Sequence, residues 1–159
     1  MKIKNFVDKT TNFLFRRLSE LSGLVLLVLS VLLLISLVSY SPEDPNFIFS
    51  ENVEIKNLLG SKGSYASDIL YQSIGLTSLL IPISFFFISL SVIIDKKILQ
   101  IIESLFFIIL YSITGALFFT VFHTETFWLT INGNNGFLGN LFEETFLINL
   151  INLNYKISY

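Results

Sequence analysis

The sequence predicts an all-α fold: a polytopic transmembrane helix bundle with three clear spans and a fourth begun or truncated. Three observations predict it. Of the 159 residues, 53% are apolar and only 14% are charged, against roughly 25% charged in an ordinary soluble domain. The apolar residues gather in three long runs that are almost free of charge. The loops between the runs alternate between basic and acid-rich. A compact globule of this composition has too little polar surface to face water, whereas lipid solvates it. At this length one domain is expected.

The chain divides into a basic N-terminal segment, 1–20, and a membrane domain, 21–159. The first span, 21–40, has no charge and is mostly Leu, Val and Ile. Twenty residues make a helix of about 30 Å, enough for the hydrocarbon core. Its aliphatic side chains favour insertion by about 4 to 8 kcal/mol gross. The run is too long for a signal-peptide core and Pro42 follows it closely, so a retained span is expected rather than a cleaved leader. The second span, 69–94, is uncharged, and the third, 98–122, carries the single charge of Glu103. The tail from about 146 reads FLINLINLNYKISY, apolar at first and then rich in Asn. It is either an interfacial segment or the start of a fourth span.

Charge orients the spans. Lys2, Lys4, Lys9, Arg16 and Arg17 precede the first, and Lys96 and Lys97 sit in a tight turn between the second and third. The intervening loop, 41–68, sets Lys56 and Lys62 against Glu43, Asp44, Glu51, Glu54 and Asp68. The positive-inside rule then places the N-terminus and the 95–97 turn in the cytoplasm.

Polar features within this frame have structural readings. Pro42 and Pro45 stop the first helix and stiffen its exit; a polyproline ligand is the alternative. Gly60 and Gly63 permit backbone conformations closed to other residues, but G-x-x-x-x-G-K-[ST] occurs nowhere, so no phosphate-cradling loop is read here. Ser64 or Ser67 is expected to cap the second helix, with Asp68 near its positive end. Pro82 is expected to kink the second span, which also holds Gly75 and several serines suited to close packing. Ser112 and Ala116 give the third span a small face. Glu103, six residues past Lys97, is read as interfacial, snorkelling or reaching a lysine; the alternative is an ionisable group in a transport path. His123 and Glu125 are too few for a structural metal site, and Tyr111, Phe127 and Trp128 suit an aromatic interfacial belt. No nucleophile–base–acid arrangement is visible, there is no cysteine, and the net charge of -2 suggests no nucleic-acid surface. No enzyme activity, cofactor or metal is expected.

In their order, these features resemble the N-terminal membrane domain of the FtsK/SpoIIIE family of bacterial DNA translocases. Ser39, Tyr40, Pro42, Asp44 and Pro45 match its exit from the first span. Asn57, Gly60, Gly63, Ser64, Asp68 and Leu70 match the end of its first outer loop and the opening of its second span. Gly75 and Pro82 follow at the family's spacing, and Gly136 and Gly139 match its glycine-rich loop after the third span. The chain departs from the pattern with Leu59 beside Gly60 and with Asn at usual glycine positions after the third span. The resemblance implies four spans with a cytoplasmic N-terminus in the bacterial inner membrane. It further implies targeting to the division septum, contact with other division proteins and the lipid bilayer, and close copies of the domain through a hexameric motor. It implies a role in chromosome segregation at cell division, with the ATPase in a part absent from this chain and no direct DNA contact by this segment. The alternative is a free-standing small membrane protein such as a transporter component.

Overall fold

A computed structural model describes residues 2–45, 54–123, 129 and 132–147, and side chains from residue 7 to 145 within those ranges. Every regular element among them is helical. Helix α1 runs Lys2–Val38, α2 Gly60–Ile74, α3 Leu80–Asp95, α4 Leu99–Phe122 and α5 Gly136–Phe142. A five-residue 3₁₀ segment, Gly75–Leu79, joins α2 to α3, and a π-helical turn, Glu143–Leu147, follows α5. Among the described residues, three stretches are long and apolar enough to cross a membrane: Val7–Val38, Gly60–Asp95 and Leu99–Phe122. The all-α polytopic bundle is as expected.

Burial is inverted relative to a soluble protein. Ser19, Ser30, Ser36, Ser67, Ser89 and Thr120 are buried, while Leu24, Val28, Phe87, Phe106 and Ile109 are exposed. Water would make that arrangement costly, but lipid favours it, because small hydroxyl residues let helices approach and bond across their contacts. The principal contact is between α1 and α3. A Cβ at Gly23 would stand 2.6 Å from Ile93 Cγ1 and 3.1 Å from the Ser89 carbonyl, so this glycine sets their approach. Further along the contact, Ser30 Oγ donates to the Pro82 carbonyl at 2.8 Å.

At one end, α3 and α4 are joined by the tight turn expected from Asp95–Lys97. Lys96 has φ 56°, and its N–H bonds back to the Val92 carbonyl at 2.9 Å. Ser19 Oγ donates to the Lys96 carbonyl at 3.0 Å, and Glu20 pairs with both Lys96 at 2.8 Å and Arg17 at 2.6 Å. The turn is thereby tied to α1, which runs on past it without interruption through the basic segment.

Four expectations need correction. The second span departs from α-helical geometry at Gly75–Leu79, ahead of Pro82, which is the third residue of α3. Helix α2 begins at Gly60 without a side-chain cap; Ser64, Ser67 and Asp68 lie inside it and bond elsewhere. Tyr111 is no belt residue. It sits about 18 Å along α4 and shares a 3.0 Å hydrogen bond with Ser84. The fourth concerns only one arm of the Glu103 reading: Lys96 is taken by Glu20, and Glu103 reaches no lysine among the described residues. Phe127, Trp128, Glu125 and the tail beyond residue 147 lie outside the described residues.

Candidate functional site

The candidate residues collect at the end of the bundle opposite the Asp95–Leu99 turn, in two backbone locks. The first begins where α1 stops. Pro42 occupies the second position of a turn closed by Asp44 N–H donating to the Ser41 carbonyl at 3.1 Å, the position that proline's fixed φ suits. This brings the Asp44 carboxylate, 6% exposed, under the returning strand of loop. Its two oxygens accept the Lys56 and Asn57 N–H groups, each at 2.8 Å.

Asn57 carries the lock inward. Its Nδ2 donates to the Ser36 carbonyl at 2.9 Å, and its Oδ1 accepts the Leu59 N–H at 3.1 Å. Gly63 lies against that carboxamide, so that a Cβ there would collide with Asn57 Oδ1. Ser36 Oγ reaches the Gly63 carbonyl at 2.6 Å, and Ser64 Oγ reaches that of Pro45 at 2.8 Å. Gly60 is different: nothing crowds it, but its φ of +64° is one that L residues rarely adopt. Tyr40 donates to Asp68 Oδ1 at 3.3 Å, and Tyr71 donates to the Leu37 carbonyl at 3.1 Å. Their rings stand 4.9 Å apart in a buried cluster with Leu37 and Leu129.

The second lock joins the 3₁₀ break to the loop before α5. Leu76 N–H donates to the Asn134 carbonyl at 2.9 Å. A Cβ at Gly75 would strike that same carbonyl, and a Cβ at Gly136 would strike the Gly75 nitrogen. Both glycines have positive φ, +62° and +66°. Gly139 has no room beside Asn135 and Thr120. The asparagines of this loop are used as connectors. Asn135 Nδ2 donates to Thr120 Oγ1 at 3.1 Å and to Asn140 Oδ1 at 2.8 Å. Asn132 Nδ2 donates to the Gln72 carbonyl at 3.2 Å and to its Oε1 at 3.0 Å. Gln72 also donates to Asp68 at 3.4 Å, so it links the two locks.

Of the eleven candidates, Pro42, Asp44, Pro45, Asn57, Gly63 and Asp68 meet in the first lock, while Gly75, Gly136 and Gly139 meet in the second. Gly60 shapes the approach, and Pro82 lies apart on α3. Ser36, Gln72, Thr120 and Tyr71 were not singled out from sequence; a small or amide side chain in an apolar run was the available signal. Outside the spans, Lys56 holds the exposed Glu43 carboxyl below its usual range, by hydrogen bond and then by charge, and Glu43 raises Lys56 in return. Among the described residues no group of acids and histidines is placed to hold a metal. The chemistry of this end is that of a rigid, hydrogen-bonded cap.

A family model of the 4TM region of DNA translocase FtsK/SpoIIIE matches residues 15–153. The chain is 37% identical over 68 residues to the DNA translocase FtsK of Rickettsia prowazekii (strain Madrid E), a match covering 43% of this chain and 9% of that protein. It is 35% identical over 80 residues to the DNA translocase FtsK of Azospirillum brasilense, covering 49% of this chain and 13% of that protein. The matched part is thus about a tenth of the length of these curated relatives. No solved structure matches.

Proposed function

The chain belongs to the FtsK/SpoIIIE family, matching the 4TM region of its translocases over residues 15–153, and from that premise we propose that it anchors a DNA-translocating motor in the bacterial inner membrane at the division septum. The motor lies outside this chain, and the domain itself neither hydrolyses ATP nor touches DNA. Its N-terminus and the Asp95–Leu99 turn face the cytoplasm, in keeping with Arg16, Arg17, Lys96 and Lys97 at that end. The two locks then face outward, where a rigid cap suits contact with other division proteins. Copies of the domain gather as the motor assembles.

The observation that carries this reading is the family match over residues 15–153, and the locks support it. Residues that match the family's loop motifs serve to hold one backbone against another. Backbone held to backbone in this way suits a domain that must keep its shape as an anchor. The test is imaging of a fluorescent fusion at native level in dividing cells, beside the Glu103→Gln variant. Mid-cell bands for both are expected. An even membrane distribution would overturn the division role, and loss of solute uptake in Glu103→Gln would favour a carrier.

A further inference from the structure

Helix α1 has two long faces free of charge within the span, and among the described residues only one of them is covered. Ser19, Gly23, Ser30 and Leu37 recur along one side and are buried; at Gly23 and Ser30 the contact is with α3. On the far side, roughly 145° away at 3.6 residues per turn, a second series runs from Val7 through Thr11, Leu14, Leu18 and Leu21 to Leu32. It advances in alternating steps of four and three, and every member is exposed. That average of 3.5 is the spacing that lets one helix lie along another in a left-handed supercoil. The neighbouring faces do not sustain it: Arg17 and Glu20 interrupt one, and Asp8, Asn12 and Ser22 the other. Thr11, the polar member, donates its hydroxyl to the Val7 carbonyl at 2.8 Å, which leaves its methyl for packing.

Depth decides what covers this face. Ser19 bonds the Lys96 carbonyl, in the turn that closes two membrane-spanning helices, so it marks the membrane surface on that side. Along α1, Leu14 stands about 8 Å and Val7 about 18 Å beyond Ser19. The headgroup layer is roughly 5 to 8 Å thick. Acyl chains can cover the series from Leu21 onward, but they do not reach Thr11 or Val7, and the register is unchanged across the boundary. A helix that covers the whole face must therefore cross the membrane and continue beyond it with the same repeat. Helix α1 of a second copy does so at the same depth, because copies insert in one orientation. No charge at the seam opposes it. Lys9 and Arg16 fall at the position of the repeat farthest from the seam, and Arg17, at its flank, pairs with Glu20 of its own helix at 2.6 Å.

We propose that α1 pairs in parallel with α1 of a second copy along Val7–Leu32. Within the bilayer the pairing rests on close packing, because lipid tails are as apolar as leucine. Beyond it, removal of Val7, Leu14 and Leu18 from water supplies the driving force and fixes the register. The pairing is a property of this chain, separate from any gathering of copies by a motor and from any role in division.

The chain has no cysteine, so single cysteines report the geometry directly. The test places Val7→Cys, Leu14→Cys or Leu18→Cys at the seam, and Lys9→Cys, Phe13→Cys or Arg16→Cys away from it, in the full chain in membranes of cells that express it. Mild oxidation and non-reducing electrophoresis then read the disulfide-linked dimer. Phe13 and Leu14 are adjacent and nearly equally exposed, 56% and 54%, so accessibility alone predicts no difference between them. Severalfold more dimer is expected at the seam positions than at the others. Leu14→Glu added to the Leu18→Cys chain should lower its dimer yield by about tenfold or more, since each pair would bury two carboxylates; Phe13→Glu should not. All these side chains are exposed, so helical circular dichroism should be unchanged. Equal yields at Phe13 and Leu14, a maximum on another face, or a Leu18→Cys dimer that survives Leu14→Glu overturns the proposal. Absence of dimer at every position overturns it as well, and would give this face to a different membrane protein.

Discussion

Gly75 and Gly136 meet backbone to backbone: a Cβ on Gly136 would stand 2.4 Å from the Gly75 nitrogen, and both residues hold a φ above +60°. Two penalties therefore coincide on any substitution, left-handed strain and overlap with main chain that has no flexible end to move aside. Gly136→Ala and Gly75→Ala should each destabilise the domain by about 2 to 4 kcal/mol. Thermal unfolding in nanodiscs measures this. Gly60→Ala, where strain acts without crowding, should cost about 1 kcal/mol.

Asp44 satisfies two backbone N–H groups at once. Asp44→Ala should leave both without a partner and cost about 2 to 4 kcal/mol. Asp44→Asn, which keeps one acceptor oxygen, should cost less. Faster hydrogen exchange at the Lys56 and Asn57 amides would report the same loss locally.

Pro82 stands in the first turn of α3 and donates nothing there, so Pro82→Ala should change stability by less than about 1 kcal/mol. The break at Gly75–Leu79 should persist in that variant. Ser30→Ala, which removes the hydroxyl bonded to the Pro82 carbonyl, should cost roughly 0.6 kcal/mol. A larger effect from Pro82→Ala than from Gly75→Ala would return the kink to the proline.

The Glu43–Lys56 pair predicts a pH response. Glu43 is shifted down, so its contribution is present above its unfolded value and is lost as pH falls through the folded one. Lys56 is shifted up, so its contribution is present below its unfolded value and is lost as pH rises through the folded one. Both are fully exposed, so the effect should be small and screened by salt. The stability difference between the native chain and Glu43→Gln should vanish on acidification and also in about 1 M salt.

The spans were legible because lipid imposes a simple demand: about twenty residues without charge. The motif residues were legible by position but not by action. Asp44 and Asn57 read as parts of a loop, and only the fold shows one accepting the other's N–H. The break in the second span was assigned to Pro82 because proline breaks helices through local chemistry. Gly75 does so through contact with residues some sixty positions away, which no local pattern encodes. Likewise, Ser64 has a suitable spacing for a cap, but α2 starts earlier and the hydroxyl goes to the Pro45 carbonyl. Gly23 passed unnoticed in an aliphatic run, although its missing side chain sets the contact of α1 with α3.

The lock between Gly75 and Gly136 also sets an order of events during synthesis. The two residues are about sixty positions apart, and the whole of α4 lies between them. At about 5 to 20 residues per second, a ribosome takes roughly 3 to 12 s to cover that distance. For that interval the second span is already made but lacks the carbonyl that receives the Leu76 N–H. The nascent domain therefore passes through a stage with its second span unclasped, and it closes only when the loop beyond the third span emerges.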